Sequence, residues 1–320
     1  MASPQVAIDS PFAMRSTAME VIEGIDLSGK VAIVTGGYSG IGTETVRALA
    51  SKGARVIVGA RRPDDAAQAL ADVAGDVSTR PLDLSKPDSI DAFTAGIRED
   101  LDELHLLINN AGIMACPLTR DDRGYESQFA TNHLGHFQLT HGLWPLLKNA
   151  EGARVVALSS IAHRLNGVDT DDLNFENRDY DKWLAYGQAK SSNALFALHL
   201  DRLGEPHGVR AFSVHPGGIA TPLQRHLSME EQKAMGWYDE DGNVNPGFKS
   251  VEEGAATSVW CATSPLLDGM GGVYCEDCNI ANPAPADGKG FIGVSPHVQD
   301  QALAEALWAR SEELCGIQFS

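Results

Sequence analysis

A tyrosine and a lysine, Tyr186 and Lys190, stand four residues apart in a segment with helical spacing of its apolar residues. Side chains at this spacing share one face of a helix. An unperturbed tyrosine has a pKa of about 10, and a nearby ammonium group favours the phenolate and lowers that pKa. The pair is therefore a candidate proton donor and acceptor for a substrate oxygen near neutral pH, although so short a motif also occurs by chance in structural helices.

Two further polar residues stand where they could assist such chemistry. Ser160 follows a predicted strand, at the sheet edge where ligands of α/β proteins bind. A serine hydroxyl in that place can donate a hydrogen bond to a developing oxyanion. Asn132 lies inside a helical pattern, and because asparagine is a poor helix former we expect it to have a local role there.

A glycine-rich turn, Thr35-Gly36-Gly37-Tyr38-Ser39-Gly40-Ile41-Gly42, joins the first predicted strand to the first main helix. Its glycines allow a tight turn and let backbone N–H groups approach a phosphate. The positive end of the helix dipole also favours an anion there. The spacing G-x-x-x-G-x-G differs from the commoner G-x-G-x-x-G, but the strand–turn–helix context predicts a dinucleotide pyrophosphate site.

The end of the second predicted strand indicates which dinucleotide is bound. NAD-binding proteins commonly carry an acid here for the ribose 2′-hydroxyl, whereas an arginine accommodates a 2′-phosphate. This chain has Arg61 and Arg62, and no carboxylate before Asp64. Guanidinium groups match phosphate geometry, so we expect NADP(H) as the preferred cofactor. Acceptance of NAD(H), with both arginines solvated, is the alternative.

The elements that position these residues alternate between strand and helix along the chain. That order predicts an α/β fold, a doubly wound parallel sheet of the Rossmann type in a single domain, with its ligand beyond the carboxyl ends of the strands. The predicted strands cover residues 31–34, 56–58, 79–84, 104–108, 154–158, 209–215 and 272–275, and the predicted helices 43–52, 87–101, 124–147 and 186–203.

Residues 1–25 are interpreted as an N-terminal extension, and residues 26–320 as the domain. An irregular stretch at 228–248 interrupts the alternation, and residues 219–250 are a candidate substrate lid. The alternative is a surface insertion without a role in binding. Large apolar and aromatic side chains in a lid suit an apolar substrate, and the segment carries Leu223, Leu227, Met229, Met235, Trp237 and Tyr238.

Composition excludes several functions. A net charge of −18 opposes binding to nucleic acid or an anionic membrane surface. The sequence lacks a transmembrane-length apolar run and a signal-peptide pattern, and five scattered cysteines fit a reducing compartment, so a cytoplasmic location is predicted. Cys275 and Cys278 form a lone C-x-x-C without further ligands at matching spacing, so no metal is predicted.

Together these motifs resemble the short-chain dehydrogenase/reductase family. The matching segments are the glycine turn 35–42, Asn109-Asn110-Ala111-Gly112, Asn132, Ser160, Tyr186-x-x-x-Lys190 and Pro216-Gly217-x-x-x-Thr221, in the family's order, and the likeness covers about residues 26–278. Segments 16–20, 132–137, 159–163, 172–175 and 308–316 are similar to the branch that holds retinol dehydrogenases and the WW-domain-containing oxidoreductase.

The resemblance implies a role for each catalytic residue. Tyr186 would be the general acid and base. Lys190 would lower the pKa of Tyr186 and hold the nicotinamide ribose, and Ser160 would orient the substrate oxygen. Asn132 would position a water that relays protons through Lys190. The family also suggests a homodimer or homotetramer built on the long helices.

The same resemblance implies a set of cofactor contacts. Asp83 would contact adenine, Asn110 would stabilise the central sheet and the cofactor site, and Thr221 would contact the nicotinamide carboxamide. The full expected cofactor set is Gly36, Tyr38, Ser39, Gly40, Ile41, Gly42, Arg61, Asp83, Leu84, Asn110, Ala111, Gly112, Tyr186, Lys190, Pro216, Gly217, Ile219 and Thr221.

The leading interpretation is an NADP(H)-preferring oxidoreductase that interconverts an alcohol and a ketone or aldehyde, with an apolar small-molecule substrate. Sugar-nucleotide epimerases and dehydratases also use Tyr-x-x-x-Lys, but they resemble T-G-x-x-G-x-x-G at the turn, and Ser39 departs from that pattern. A non-catalytic NADP(H) sensor is the third interpretation. Such proteins typically lose the tyrosine or the lysine, and both are kept here.

Overall fold

Short runs of aliphatic and β-branched residues form the strands of a single sheet. In the computed structural model, which describes residues 3–285 and 292–320, eight strands lie in the order β3-β2-β1-β4-β5-β6-β7-β8. All neighbouring pairs are parallel except β7 and β8. The strands are β1 Val31–Thr35, β2 Arg55–Ala60, β3 Val77–Pro81, β4 Leu106–Asn109, β5 Arg154–Leu158, β6 Arg210–His215, β7 Val273–Glu276 and β8 Asn279–Ile280.

Several helices begin either at a residue whose side chain accepts from the free backbone N–H groups or at a proline, which has no N–H group to satisfy. Thr17, Ser228 and Ser250 form capping boxes. Pro63 and Pro87 occupy first-turn positions. The helices are α1 Ala18–Val21, α2 Ile41–Ser51, α3 Pro63–Ala69, α4 Pro87–Asp100, α5 Ser127–Phe129, α6 Gly135–Asn149, α7 Lys182–Gly204, α8 Met229–Ala234, α9 Val251–Thr263 and α10 Gln301–Cys315.

Successive residues of each strand point to opposite faces of the sheet, and both faces are covered. Val34 and Val58 pack with Trp260 of α9 on one face, whereas Ile33 and Ile57 pack with helices α4 and α6 on the other. This arrangement confirms the predicted doubly wound α/β fold of the Rossmann type. The carboxyl ends of the parallel strands meet at one edge, where the predicted site residues lie.

Several local predictions were wrong. The third strand ends at Pro81 rather than residue 84, and the hairpin strand β8, which runs antiparallel, was not predicted. The predicted helix 124–147 is divided by a π-helix, Ala130–Leu134. Helix α8 lies inside the stretch that was predicted to be irregular, because Ser228 and Glu231 cap it reciprocally.

The N-terminal extension packs along the β7–β8 edge of the sheet. The Gln5 side-chain amide donates to the carbonyl oxygens of Tyr274 and Ala281, at 2.7 and 2.8 Å, and Asn279 exchanges hydrogen bonds with the backbone of Ile8. Helix α1 packs against α9 and α2. Within the described residues, from Ser3 onward, the extension is therefore part of the same packed unit.

The C-terminal segment covers the long helices. Trp308 of α10 stacks on His199 of α7, with ring centroids 4.6 Å apart. Phe319 packs against Phe137 of α6 at 5.3 Å, and the Trp144 indole N–H donates to the Ser320 carbonyl. The resemblance suggested an oligomer built on these helices. The chain's own C-terminus packs against that face, and a single chain does not test the oligomer itself.

Among the described residues, no helix is both long and apolar enough to cross a membrane. The same part of the chain holds no group of three or more His, Cys, Asp or Glu side chains arranged for a metal ion. Cys275 and Cys278 are free and buried. Burial raises the pKa of Cys278 to about 12, so its thiol is neutral near pH 7.

Candidate active site

A cavity of about 1540 Å³ opens at the carboxyl edge of the parallel strands. It runs from the glycine turn after β1 to the predicted lid. All the predicted site residues line it except Gly42 and Asn132. The lining members are Gly36, Tyr38, Ser39, Gly40, Ile41, Arg61, Asp83, Leu84, Asn110, Ala111, Gly112, Ser160, Tyr186, Lys190, Pro216, Gly217, Ile219 and Thr221.

The glycine turn presents the open end of helix α2 to this cavity. Gly36 and Gly40 have φ angles of +62° and +56°, in the left-handed region where glycine carries no steric penalty. Gly40 is the N-cap, and no side chain caps the helix. Gly42 is packed beneath the turn, since a Cβ there would lie 2.5 Å from the Gly36 carbonyl oxygen. The uncapped N–H groups and the helix dipole suit a phosphate.

A buried threonine hydroxyl fixes this turn to the segment after β4. Thr35 Oγ1 accepts hydrogen bonds from the backbone N–H groups of Asn110 and Ala111, both at 2.9 Å. The Asn110 side chain donates to the Thr35 carbonyl at 2.8 Å. Sequence reasoning named Asn110 but missed the role of Thr35. Its position directly before the first glycine was the available signal.

The arginines after β2 differ in their partners. Arg61 is exposed and lines the cavity, and among the described residues it has no hydrogen-bond or ion-pair partner. The Arg62 guanidinium lies 3.0 Å from the Asp65 carboxylate. Asp83 Oδ1 accepts from both the backbone N–H and the hydroxyl of Ser85. Of the two arginines, Arg61 is therefore the one with an uncommitted guanidinium.

Helix α7 brings Tyr186 and Lys190 together below the glycine turn. Asp181 caps this helix by accepting from the backbone N–H groups of Trp183 and Leu184. Tyr186 and Lys190 are each only 4% exposed. The Lys190 ammonium lies 5.6 Å from the centre of the Tyr186 ring and donates to the Leu158 carbonyl at 2.8 Å. Burial lowers the pKa of Lys190 to about 8.

Ser160 lies near Tyr186, and both residues line the cavity. It caps the 3₁₀ turn Ile161–Arg164, with its Oγ accepting from the Ala162 N–H. Burial raises the pKa of Tyr186, and the nearby Ser160 hydroxyl opposes that shift. This differs from the expectation that Lys190 lowers the pKa of Tyr186, because desolvation of the phenolate outweighs the other influences on it.

Asn132 lies in the π-helix and is fully buried. Its side-chain oxygen accepts from the Ile113 N–H, and its side-chain nitrogen donates to the Ile113 carbonyl, both at 2.9 Å. A Cβ on Gly112 would lie 3.2 Å from the Asn132 side-chain oxygen and 3.8 Å from the Lys190 nitrogen. Asn132 therefore fixes the backbone beside Lys190, and both polar atoms of its side chain are committed to that contact.

Apolar side chains surround the remaining approach to Tyr186. Trp183 packs edge-on against Tyr186, and Trp237 of the predicted lid packs edge-on against Trp183 at 6.0 Å. Met114, Ala162 and Leu227 complete the cluster. Of the lid residues named from the sequence, Leu223, Met235 and Trp237 line the cavity and Leu227, Met229 and Tyr238 do not. Sequence reasoning missed five further lining residues, Trp183, Met114, Arg164, Lys249 and Glu276. For Trp183 the signal was its position three residues before Tyr186 on the same helix.

Comparison with known proteins agrees with this architecture. A family model described as short chain dehydrogenase matches residues 30–232. A Streptomyces antibioticus protein described as a probable oxidoreductase is 44% identical over 292 residues, covering 89% of this chain and 97% of its own. Retinol dehydrogenase 12 of Homo sapiens is 38% identical over 300 residues, covering 92% and 89%.

A solved structure from Mycobacterium paratuberculosis extends the likeness to the fold. It has a TM-score of 0.74 and 32% identity, and the match covers 96% of this chain and 99% of that one. The family model spans more than half of the chain, and its motifs converge on one cavity. This chain is therefore an oxidoreductase that belongs to the short-chain dehydrogenase family, in its retinol dehydrogenase-like branch.

Proposed function

We propose that this protein is an NADP(H)-preferring enzyme that interconverts an alcohol and a ketone or aldehyde, with Tyr186 as general acid and base. One observation carries the proposal. Tyr186, Ser160 and the buried Lys190 line the cavity that also contains the uncapped end of α2. The proposed proton-transfer group, Tyr186, and the proposed phosphate site at α2 thus lie in one cavity.

The residues present fit a nicotinamide dinucleotide. Gly40 leaves the first N–H groups of α2 free for a pyrophosphate, and the close packing at Gly42 leaves no room for a side chain in the turn. Arg61 offers an uncommitted guanidinium at the cavity wall for a 2′-phosphate. When bound, the cofactor would supply or accept the hydride. Asp83, Asn110 and Thr221 line the same cavity and complete the proposed contacts.

The protein's own residues would handle the proton. In carbonyl reduction, Tyr186 donates its phenolic proton to the substrate oxygen, and in alcohol oxidation it takes that proton back. Ser160 holds the substrate oxygen beside the phenol by a hydrogen bond. With a pKa of about 8, Lys190 is mostly charged at pH 7 and stabilises negative charge on the Tyr186 oxygen.

A pair of tyrosine variants tests the acid and base assignment. We expect Tyr186→Phe to lower kcat by about 10²–10⁴-fold while its NADPH dissociation constant stays near that of the wild type. Tyr125→Phe is the matched control, because Tyr125 donates to Leu314 and does not line the cavity. The readout is NADPH oxidation with a panel of ketones and aldehydes. A Tyr186→Phe enzyme with wild-type kcat would refute the role of Tyr186.

A pair of arginine variants tests the cofactor preference. Charge-assisted hydrogen bonds contribute about 1.5–3 kcal/mol, so Arg61→Ala should weaken NADPH binding by roughly 10–100-fold and leave NADH binding unchanged. Arg62→Ala is the control, because Arg62 already pairs with Asp65. If both variants lose NADPH affinity equally, or if the wild type binds NADH as tightly as NADPH, the assignment of Arg61 fails.

The substrate proposed is apolar near its carbonyl. Trp183, Trp237 and Phe248 form a continuous aromatic wall, with neighbouring rings about 6.0 Å apart. Such a wall favours hydrophobic carbonyl compounds over small polar ones. A ketone panel graded by apolar surface tests this, because kcat/KM should rise with the apolar area of the substrate. Tight NADPH binding with no turnover across the panel would instead support the alternative of a non-catalytic sensor.

A further inference from the structure

A buried histidine connects the proposed catalytic serine to a C-terminal segment that closes part of the cavity. His163 has no exposed surface and lies at the 3₁₀ turn that Ser160 caps. Its Nδ1 lies 2.7 Å from the Ser160 carbonyl oxygen. Its Nε2 accepts a hydrogen bond from the backbone N–H of Ser295 at 3.0 Å. The mechanism described above assigns no role to this imidazole.

The two partners determine which nitrogen carries the proton. A backbone N–H can only donate and a carbonyl oxygen can only accept. Because Ser295 donates to Nε2, that nitrogen must be unprotonated, and the proton must lie on Nδ1, from which it is donated to Ser160. Burial lowers the pKa of His163 to about 4, so the ring is neutral near pH 7 and keeps both roles at once.

The contacts of His163 extend toward the other catalytic residues. The Tyr274 hydroxyl lies 3.1 Å from Nδ1. The Ser159 hydroxyl donates to the Lys190 carbonyl at 2.7 Å. The imidazole is therefore joined directly to the backbone of Ser160, and Ser159, the preceding residue, is joined to the backbone of Lys190. A displacement of the ring would move Ser160.

The segment on the far side of the imidazole belongs to the cavity wall. Residues 292–299, here named the strap, include Ile292, which lines the cavity. The Ile292 carbonyl accepts from the Arg164 guanidinium at 2.8 Å, and the Gly293 N–H donates to the Glu276 carboxylate. His163 is thus placed between the strap and Ser160, with one ring nitrogen for each.

We infer that His163 is a positioning residue for the proposed reaction, holding Ser160 through Nδ1 and the strap through Nε2. The inference rests on the proposed function, because positioning is meaningful only if Ser160 orients a substrate oxygen. The contact at Nδ1 and the contact at Nε2 can be tested separately. The Nδ1 contact governs the geometry of Ser160 and hence kcat. The Nε2 contact governs the strap and hence the affinity for substrate, measured by KM.

Two substitutions of His163 test the contacts of its two ring nitrogens separately. His163→Asn can place an amide donor near the position of Nδ1 but cannot reach Ser295. His163→Gln can place an acceptor near the position of Nε2 but offers no donor at Nδ1. A buried partner left unsatisfied is costly. We therefore expect His163→Gln to lower kcat about tenfold or more with little change in KM, and His163→Asn to raise KM severalfold with kcat nearly retained.

A merely structural role would give a different pattern. Both variants would then lose activity in parallel with their melting temperatures, and the split between kcat and KM would vanish, which would overturn the inference. Amide hydrogen exchange at Ser295 provides a readout independent of turnover. The amide should exchange faster in His163→Asn than in His163→Gln, and equal exchange rates would contradict the assignment of Nε2.

The wild-type protein offers a test that does not depend on either variant folding. With ¹⁵N-labelled histidine, the imidazole that shows a hydrogen-bond coupling to the Ser295 amide should be the neutral Nδ1–H form. An Nε2–H form at that site would refute the inference. If the wild type shows the Nδ1–H form but turns over no carbonyl substrate, the proposed function fails. Amide exchange at Ser295 then still decides whether His163 holds the strap and the turn at Ser160.

Discussion

Acid should destabilise this protein before most of its carboxylates are protonated, because burial strongly lowers the pKa of five histidines. Desolvation lowers the pKa of each of them from 6.5 to between about 3 and 4. In the unfolded chain each would titrate near its ordinary value. The five are His133, His136, His163, His199 and His215.

Proton linkage gives the direction and the size of the change in unfolding free energy with pH. A depressed folded pKa means that the unfolded chain binds more protons at pH 5, so stability falls as pH drops below about 6.5 and stops falling near pH 3–4. Each histidine removes roughly 2 kcal/mol at pH 5, or about 10 kcal/mol together. Burial raises the pKa of Glu276 to about 7, and its protonation returns about 2 kcal/mol. The net loss approaches the entire stability of a typical domain, about 5–15 kcal/mol.

Urea unfolding between pH 7.5 and 5 measures this effect. The slope of the unfolding free energy with pH near pH 5 should correspond to an uptake of about four protons on unfolding. His199→Gln should reduce that number by about one, whereas His207→Gln, at an exposed position, should leave it unchanged. An uptake below about two protons, or a His199→Gln slope equal to that of the wild type, would refute the reasoning.

Three further predictions concern the turn, the aromatic wall and the oligomeric state. Gly42→Ala should weaken NADPH binding at least tenfold, because its Cβ would lie 2.5 Å from the Gly36 carbonyl oxygen. Gly96→Ala is the control: the nearest atom to its Cβ would be 3.8 Å away, so this variant should bind NADPH as the wild type does, and isothermal titration calorimetry measures both affinities. Trp237→Ala should raise KM for bulky apolar ketones more than for acetone-sized ones, and equal effects would contradict a role in the aromatic wall. Light scattering should give a single species of 34.1 kDa, because α10 covers the long helices, and a dimer that persists after dilution would contradict this.

Local sequence signals predicted the central sheet well, because its strands are short apolar runs bounded by glycine or polar residues. Strand β5 lies at residues 154–158 as predicted, and β1 and β6 differ from their predicted bounds by one residue at one end. The prediction failed where long-range packing determines the structure. The π-helix at Ala130–Leu134 has no signature in the periodicity of a helix, and it forms where Asn132 bonds the backbone of Ile113.

The sequence predicted those residues of the candidate site that lie near the ends of helices and strands. Gly40 and Ser160 are N-cap residues, Tyr186 lies in the second turn of α7, and the fold brings all three to one cavity. Residues that reach the cavity from distant segments were missed. Arg164 and Lys249 are examples, since their places depend on contacts with Ile292 and Asp277 that no local pattern indicates.

The pKa shifts of Tyr186 and Lys190, the proposed catalytic pair, bear on which form of Tyr186 would enter the proposed reaction. Burial raises the pKa of Tyr186 and lowers that of Lys190, so desolvation pushes both groups toward their neutral forms. The nearby Ser160 hydroxyl moderates the rise in the pKa of Tyr186 but does not reverse it. A neutral phenol can donate a proton but cannot accept one. In the proposed reaction, a neutral Tyr186 would donate its proton to a carbonyl oxygen directly, whereas alcohol oxidation would first require the phenolate to form.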